Sequence, residues 1–485
     1  MKMTTDSKIA RITRRTLLGA GAAAAATAAA GFGVLCSRPG GALVPGVSRA
    51  RKVPSDDAVP DRADVVVIGG GNIGCMTALI LAERGVKVAL CEKGVIAGEA
   101  SGRSLGYVDS LFLDAVKQPL INRTNELWAG MNARVGAETG YRRSGVAMFC
   151  TSGDALGMAE QWVASMRGVD GFDAQILPAA AADALATGSA DRYLGALYVP
   201  SDGTAEPQLF APAVADAVRR AGGIVLQGCA VRGIERSAGR ISAAVTERGR
   251  IACQAVVLAG GAWSPVFARS LGLDLPQLMA FASNARLSPA AGPAVATISE
   301  KGFVMRRTLN GACDVCRPLA AVPLIPSVLD NLTRLWPALK AMGDSVQPVF
   351  NLGTFLDFWR IPKRWPLDRP SPFEARRILM PETNTRLLRE IIAVLRESFP
   401  AFRQSTVIEQ WAGDLTTTVD NMPVISAVDG WAGLYLGTGF YYGLTMAPAA
   451  GEALADLVLG DQPQFDLGLY RYSRFSDGSK LVFRA

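Results

Sequence analysis

The first residues with an evident chemical use are three glycines that follow a short apolar run. Gly69, Gly71 and Gly74 form the pattern G-x-G-x-x-G between a predicted buried strand and a predicted helix. Gly69 permits a tight turn, Gly71 lets the backbone approach a pyrophosphate, and Gly74 lets the helix pack closely on the strand. The helix begins near Asn72 and Ile73, whose free N–H groups would face an anion. The pattern predicts a dinucleotide site.

An acidic residue at the end of the next predicted strand supports this site. Glu92 closes that strand eighteen residues after Gly74. An acid at this place accepts hydrogen bonds from both ribose hydroxyls and repels a 2′-phosphate. These residues by themselves are compatible with NAD and with FAD.

Three later segments distinguish the two cofactors. A small-residue loop follows Glu92, a further strand passes through Val231, and a glycine turn ends at Trp263. In this order they resemble the D-amino-acid oxidase superfamily of flavoproteins. The resemblance implies that the loop follows the pyrophosphate up to the isoalloxazine ring, the Val231 backbone meets the adenine, and the turn returns beneath the cofactor. The residues that would have these roles are Lys93, Ala100, Ser101, Arg103, Ser104, Val231, Gly260 and Trp263.

The C-terminal part contributes a second helix end to the predicted FAD site. Gly439 precedes Gly443, Leu444 and Thr445, which enter an Ala-rich helix. Backbone N–H groups there would face the pyrimidine edge of the flavin, where negative charge develops as hydride arrives at N5. The alternative is a tight turn before a core helix.

A closer resemblance extends over nearly the whole chain, including an insert at 324–402. The residues that carry it are the twin arginines before an apolar segment, 81–85, 96–99, 365–367, 371–374, 399–402, Ser405, Thr406, Gln410 and Trp411. They are similar to bacterial membrane-associated L-amino acid deaminases. The resemblance implies oxidative deamination to a 2-oxo acid and ammonia, with electrons passed to the respiratory chain.

The substrate carboxylate requires a cation. Arg317 aligns approximately with the carboxylate-binding arginine of those deaminases, and Arg306 and Arg307 are alternatives. An arginine at this position could instead pair on the surface.

Three departures from the deaminase pattern fall in the expected substrate pocket. Tyr107 stands where those deaminases have Gln, and Phe440 leads into Tyr441 and Tyr442 where they have a short Trp-containing link. Asp414 replaces a small apolar residue, and a carboxylate facing the substrate would favour a second amino or guanidino group. A solvated or helix-capping aspartate is the alternative.

The predicted fold is mixed α/β. A Rossmann-like FAD-binding domain would comprise 63–110, 195–275 and 405–475, and it would be interleaved with an antiparallel-sheet substrate domain of 111–194 and 276–404. The insert at 324–402 is expected to be mainly helical.

Composition excludes several classes of chemistry. The 485 residues contain no histidine, which removes His-based nucleophile pairs, His-ligated metals and a histidyl-linked flavin. No metal site is expected, and FAD is expected to bind without a covalent link. The net charge of +7 is spread along the chain, so nucleic acid is not an expected partner. A disulfide between Cys313 and Cys316 is conceivable if the protein is exported.

The N-terminus predicts an export address. Arg14 and Arg15 precede the apolar stretch 17–35, as in a twin-arginine signal, which would place the enzyme on the periplasmic side of the inner membrane. Segment 1–36 would be either cleaved or retained as an anchor, and 37–62 would be a linker.

The insert interleaves Phe355, Phe358, Trp359 and Trp365 with Arg360, Lys363 and Arg364. This composition is suited to a membrane interface or to packing on the protein itself.

Three functions follow as hypotheses. The first is a membrane-linked L-amino acid deaminase, and the second is an oxygen-using oxidase or dehydrogenase of another amine, such as an N-methyl or cyclic amino acid. The third is a protein that binds FAD without catalysis.

Overall fold

A computed structural model describes residues 50–299 and 301–484. The predicted export signal and most of the linker therefore lie outside the described residues. The strands are β1 (Val65–Ile68), β2 (Val88–Cys91), β3 (Tyr107–Val108), β4 (Val146–Cys150), β5 (Gln175–Pro178), β6 (Gly195–Val199), β7 (Gly203–Thr204), β8 (Ile224–Leu226), β9 (Val231–Ser237), β10 (Arg240–Thr246), β11 (Gly249–Ala252), β12 (Ala255–Leu258), β13 (Gln277–Leu287), β14 (Ala296–Ser299), β15 (Phe303–Arg307), β16 (Cys313–Cys316), β17 (Ala320–Pro323), β18 (Val346–Val349), β19 (Val407–Thr418), β20 (Val424–Ala427) and β21 (Leu434–Thr438).

The α-helices alternate with these strands and cover the sheets. They are α1 (Asn72–Glu83), α2 (Ala100–Arg103), α3 (Gln118–Ala129), α4 (Met131–Arg134), α5 (Gly153–Ser165), α6 (Ala179–Leu185), α7 (Phe210–Arg220), α8 (Ser264–Ser270), α9 (Pro326–Asp330), α10 (Leu332–Met342), α11 (Leu352–Trp359), α12 (Pro372–Ala375), α13 (Thr385–Ser398) and α14 (Gly443–Leu459).

A six-stranded sheet in the order β20-β21-β12-β1-β2-β8 forms the Rossmann-like part. Its central strands are parallel, with Val65 opposite both Val88 and Ala255. Strands β1, β2 and β12 are buried along their whole length, as expected for a parallel sheet covered on both faces. The covering helices include α1, α7 and α14, whose buried side chains form one continuous apolar core with the sheet.

A larger sheet of ten strands forms the second part. Nine follow the order β18-β17-β13-β16-β15-β14-β4-β6-β5, and β19 pairs with β13 along eleven positions from Gln277↔Thr418 to Leu287↔Val407. Most of its pairs are antiparallel, while β14 with β4 and β17 with β18 are parallel. Strands β6 and β19, which lie within the predicted cofactor segments, pair in this large sheet.

The insert is mainly helical, as predicted, and it packs on both sides of the large sheet. Val328 and Leu335 of α9 and α10 join the core beneath the six-stranded sheet. Leu388 and Leu395 of α13 instead join a separate core against the opposite face. The fold class predicted from the sequence is confirmed, because a Rossmann-like unit, an antiparallel substrate-side sheet and a helical insert are all present.

The cysteine pair of β16 is not a disulfide. Cys313 and Cys316 are both free thiols, and their separation of three positions places them on opposite faces of the strand. Among the described residues, no helix is both long and apolar enough to cross a bilayer.

Candidate active site

The turn between β1 and α1 fits the role predicted for its glycines. Gly69 has a φ of +111°, and a Cβ there would lie 2.4 Å from the Ala259 carbonyl oxygen. A Cβ on Gly74 would lie 2.0 Å from the Gly69 carbonyl oxygen. Both positions therefore exclude any side chain, which brings α1 close to β1 and directs its N-terminus into the space above the sheet.

The first turn of α1 carries a polar atom without a protein partner. Asn72 is 3% exposed, and no described residue hydrogen-bonds its Oδ1 atom. Its backbone N–H donates to the Ser101 hydroxyl at 2.9 Å, and a Cβ on Gly71 would lie 2.9 Å from that same oxygen. A buried amide oxygen without a partner costs free energy, so this position is suited to a polar ligand.

Glu92 lies at the end of β2, across the turn from α1. Its two carboxylate oxygens accept from the Gly70 and Gly94 N–H groups, each at 2.7 Å. Burial raises the pKa of Glu92, although the neighbouring Lys93 and these two N–H groups act in the opposite direction. The backbone thus orients the carboxylate towards the place where a ribose would lie.

Lys93, Glu99 and Trp263 form a cluster at the same end of the sheet. The Lys93 ammonium lies 2.8 Å from a Glu99 carboxylate oxygen and 4.5 Å from the centre of the Trp263 ring. The Trp263 indole N–H also donates to Glu99, at 3.1 Å. The insert closes the cluster from outside, because the Leu379 N–H donates to Glu99 at 2.6 Å and Lys93 donates to the Arg377 carbonyl.

These elements surround a cleft with about 1030 Å³ of empty space that is open to solvent. Its lining includes thirteen of the predicted cofactor residues, namely Gly69, Gly71, Asn72, Ile73, Glu92, Lys93, Ala100, Ser101, Val231, Gly260, Trp263, Gly439 and Gly443. The lining also contains Phe373, Thr416 and Phe440, to which no cofactor role was assigned from the sequence. The unpartnered Asn72 oxygen, the side-chain-free turn and the set of residues that line the cleft fit FAD. When bound there, FAD would supply the acceptor for hydride.

Five predicted cofactor residues lie behind this lining. Gly74 packs against the Gly69 carbonyl, and Arg103 is 5% exposed and donates to the Gly98 and Ala412 carbonyls. Burial lowers the pKa of Arg103. The Ser104 hydroxyl is buried without a partner. Leu444 and Thr445 are buried in the first turn of α14, where the Thr445 hydroxyl accepts from the Asp109 N–H at 3.1 Å.

The arginines considered for the substrate carboxylate lie apart from the cleft. Arg317 follows β16 and is exposed, and its Nε atom lies near Gly302 at the end of the neighbouring hairpin. Arg306 is 1% exposed and pairs with Glu206 at 3.0 Å and Asp314 at 2.9 Å, so its donors are occupied. Arg307 donates to a backbone carbonyl at 3.0 Å. The role predicted for Arg317 stays a prediction.

The three tyrosines predicted for the pocket are not among the residues that line the cleft, and their role stays a prediction. The Tyr107 hydroxyl lies 2.7 Å from both the Thr297 and Met305 carbonyl oxygens, and burial raises its pKa well above the ordinary value. Tyr441 and Tyr442 contact each other edge to face with their ring centres 5.0 Å apart. Burial raises the pKa of Tyr441 to about 12 and also that of Tyr442, so both hydroxyls stay protonated at neutral pH.

Asp414 is neither solvated nor at a helix end. It lies in the middle of β19, opposite Phe281 of β13, and is 6% exposed. Its side chain lines the cleft, and its Oδ1 atom has no hydrogen-bond partner among the described residues. The alternative of a solvated or helix-capping aspartate is therefore wrong.

Sequence reasoning missed a buried charge network beside the Ser101–Ser104 loop. Asp314 accepts from Arg286 at 2.6 Å as well as from Arg306, and Arg306 also donates to the Leu105 carbonyl. The network joins this loop to the large sheet through residues more than one hundred positions apart. No local spacing could indicate it, because the partners meet only when β13, β15 and β16 are aligned.

The comparisons with known proteins agree with this geometry. A family model described as FAD dependent oxidoreductase matches residues 64–457. The L-amino acid deaminase from Proteus myxofaciens, solved in complex with anthranilate, is 33% identical with a TM-score of 0.86, covering 89% of this chain and 97% of that one. The L-amino acid deaminase from Proteus vulgaris is 31% identical with a TM-score of 0.84, covering 88% of this chain and 100% of that one.

More distant relatives act on other amines. Glycine oxidase of Pseudomonas putida is 24% identical, covering 84% of this chain and 97% of the relative. Mouse mitochondrial sarcosine dehydrogenase is 22% identical over 86% of this chain, which spans only 42% of the length of that relative. With the family match covering most of the described residues, the chain belongs to the FAD dependent oxidoreductase family of the D-amino-acid oxidase type and is an FAD-dependent amino acid oxidoreductase.

Proposed function

We propose that this protein oxidatively deaminates an L-amino acid to a 2-oxo acid and ammonia and passes the electrons to the respiratory chain. The observation that carries the proposal is the similarity to two Proteus L-amino acid deaminases over nearly their full lengths. We infer that part of that similarity lies in the insert at 324–402. The P. vulgaris enzyme gives a TM-score of 0.84, whereas its form with the specific insertion sequence deleted gives 0.71.

A surface of the insert supports membrane association. Trp336 and Phe350 are 62% and 61% exposed, and Trp359 is 46% exposed and stacks on Phe355 with ring centres 5.7 Å apart. We call Trp336, Phe350, Leu352 and Trp359 the aromatic patch. The basic residues Arg360, Lys363 and Arg364 follow it and are also exposed. Apolar rings beside cations suit the interface of an anionic bilayer. A periplasmic location through the twin-arginine motif is part of the proposal and depends on residues outside the described range.

A second function has specific support. Relatives named glycine oxidase and sarcosine dehydrogenase match at 22–25% identity over more than 80% of this chain. An oxidation of glycine, an N-methyl amino acid or a cyclic amino acid with oxygen as acceptor would use the same cofactor site.

Anaerobic bleaching of the flavin tests these functions together. The FAD-loaded protein is mixed with the common L-amino acids, glycine, sarcosine and L-proline, and the loss of yellow colour is followed. Bleaching by ordinary L-amino acids is expected, and bleaching by sarcosine or glycine alone would favour the second function. If no amine bleaches the flavin, both proposals are wrong. Comparing hydrogen peroxide release with the reduction of a quinone dye then distinguishes an oxygen-using enzyme from one that supplies a membrane acceptor.

A further inference from the structure

One side chain in the cleft has a buried carboxylate oxygen without a hydrogen-bond partner among the described residues. Asp414 is nine-tenths buried, faces the FAD cleft from β19, and has an Oδ1 atom without a hydrogen bond from any described residue. A buried carboxylate oxygen without a partner is unfavourable unless a proton or a bound donor compensates it. The position therefore indicates a ligand group that donates hydrogen bonds.

The charged groups around Asp414 do not supply that donor. Glu99 is a second acid, and the ammonium of Lys93 is held by Glu99 and by two backbone carbonyls. Arg103 on α2 donates to the Gly98 and Ala412 carbonyls. The residue opposite Asp414 on β13 is Phe281, which carries no charge.

The cofactor does not explain the charge either. FAD has hydroxyl and N–H donors, as proposed at Glu92, but it has no positive charge: its pyrophosphate is negative and the isoalloxazine ring gains negative charge when it accepts hydride. FAD therefore cannot neutralise the charge of a carboxylate. The substrate of an amino acid oxidoreductase, in contrast, always brings an ammonium group. We propose that Asp414 binds the amino group of the substrate and removes its proton before oxidation. This inference rests on the amine-oxidising function.

The step balances without another reagent. An N–H bond of the substrate ammonium breaks and an O–H bond forms on Asp414, which leaves a neutral amine beside a neutral carboxylic acid. The neutral amine can then supply its nitrogen lone pair to a C=N bond, and FAD, when bound, would supply the acceptor for the Cα hydrogen and its two electrons. Water hydrolyses the resulting imine to a 2-oxo acid and ammonia.

The titration behaviour of Asp414 is consistent with such a base. Burial and the nearby Glu99 raise its pKa to about 7, against the opposite effects of Lys93 and Arg103. An ordinary aspartate would be a much weaker base at neutral pH. Asp414 can therefore accept a proton during the reaction and release it afterwards near neutral pH.

The test compares binding of an amine with binding of its oxygen analogue. The amino acid that bleaches the flavin fastest and the 2-hydroxy acid with the same side chain are titrated into FAD-loaded protein between pH 6 and 9. The dissociation constant of the hydroxy acid is read from changes in the flavin absorbance. Because the amino acid reacts, its dissociation constant is taken from the concentration at which the stopped-flow bleaching rate saturates. Asp414→Asn should weaken amine binding about tenfold or more, because a charge-assisted hydrogen bond is lost, and leave binding of the hydroxy acid unchanged. In the wild type the bleaching rate should rise as the pH passes through about 7, and this step should be absent in Asp414→Asn.

Two further variants make the result decisive. Glu409→Gln removes one negative charge from the same strand at a residue outside the cleft lining. It should leave unchanged the ratio of the dissociation constants for the amino acid and the hydroxy acid, which we call the amine preference. Asp414→Glu keeps the charge and should restore part of the preference. Melting temperature and FAD content are measured for each variant, so that an unfolded Asp414→Asn protein is recognised and Asp414→Glu then decides the question.

The outcomes separate this inference from the proposed function. If an amine bleaches the flavin but Asp414→Asn discriminates the amine from the hydroxy acid as well as the wild type does, only the inference is wrong. If the variant changes the affinity for FAD or the midpoint potential of the flavin without changing that discrimination, Asp414 acts on the cofactor and the inference is again wrong. If no amine bleaches the flavin, the proposed function is wrong and the inference with it.

Discussion

Arg306 shows how strongly one buried residue can depend on distant partners. It is 1% exposed and holds two carboxylates, Glu206 and Asp314, at 3.0 and 2.9 Å. Replacing it with methionine keeps an unbranched apolar stem but leaves the buried Glu206 carboxylate without its cation, while Asp314 keeps only Arg286. We expect Arg306→Met to lower the free energy of unfolding by about 3–5 kcal/mol. Urea denaturation of the FAD-loaded protein measures this.

A surface arginine provides the control for that measurement. Arg386 pairs with Glu390 one helical turn away, and their side chains are 84% and 52% exposed. Arg386→Met should change the free energy of unfolding by less than about 0.5 kcal/mol. Equal effects of the two substitutions would show that the buried network contributes little.

The cofactor turn permits a similarly direct test at Gly74. An added Cβ would lie 2.0 Å from the Gly69 carbonyl oxygen, which is backbone and cannot rotate away. Gly74→Ala should therefore push α1 off β1, cost about 1–3 kcal/mol of stability, and weaken FAD binding measured by fluorescence titration. Gly157, inside helix α5 with open space around it, is the matched control. Gly157→Ala should leave FAD binding unchanged and stabilise the protein by about 0.5–1 kcal/mol.

At the scale of elements, the insert combines two different surfaces. Phe358 stacks on Trp263 with ring centres 6.0 Å apart, and the Trp365 indole donates to the Arg232 carbonyl at 2.8 Å. These aromatics pack on the protein beside the cleft. The aromatic patch instead faces solvent. Packing on the protein is therefore seen for Phe358 and Trp365, whereas a membrane interface stays a prediction for the exposed residues.

The patch predicts membrane binding that does not need the N-terminal segment. Protein lacking residues 1–36 should bind vesicles containing anionic lipid, and the triple variant Trp336→Ser, Phe350→Ser, Trp359→Ser should bind at least about tenfold more weakly because less apolar surface is buried. Flotation with vesicles at low and high salt measures this. Met158 and Leu194 are 51% and 52% exposed outside the insert, so their serine variants are the control. Equal binding by triple variant and wild type would contradict the prediction.

At the scale of the whole molecule, buried carboxyl groups should determine how stability depends on pH. Burial raises the pKa of Asp109 to about 7, and Asp414 behaves similarly. A carboxyl group whose pKa is higher in the folded state than in the unfolded state stabilises the folded protein fully below the unfolded pKa, near 3.8. As the pH rises from there, this contribution to the free energy of unfolding declines, and it is lost once the pH passes the folded pKa of about 7. Glu206 behaves in the opposite way: burial by itself would raise its pKa, but the Arg306 guanidinium more than offsets this effect, so the pKa of Glu206 is lowered. Its contribution to stability is therefore lost when acid protonates it.

The measurable window is therefore pH 5.5 to 7.5. The free energy of unfolding should fall with rising pH by up to about 1.4 kcal/mol per pH unit for each raised aspartate, and flatten above this range. Asp109→Asn should reduce the slope, whereas Asp461→Asn, at a largely exposed position, should not. Urea denaturation at several pH values gives the slope, and a wild-type stability that rises through this window would overturn the prediction.

The sequence by itself determined the parts of this protein that depend on local pattern. The glycine turn at Gly69, the acid at Glu92 and the fold class could be predicted, because a strand, a turn and a helix specify their geometry within about thirty residues. Two other features could not be predicted: the contact between the rings of Phe373 and Trp263, and the ion pairs of Arg306 with Glu206 and Asp314. In both, the partners come together only when distant segments of the chain pack. Asp414 is the clearest case. Its type and place in the chain were visible, but only the tertiary structure decided that it is buried, lines the cofactor cleft and has a carboxylate oxygen without a partner.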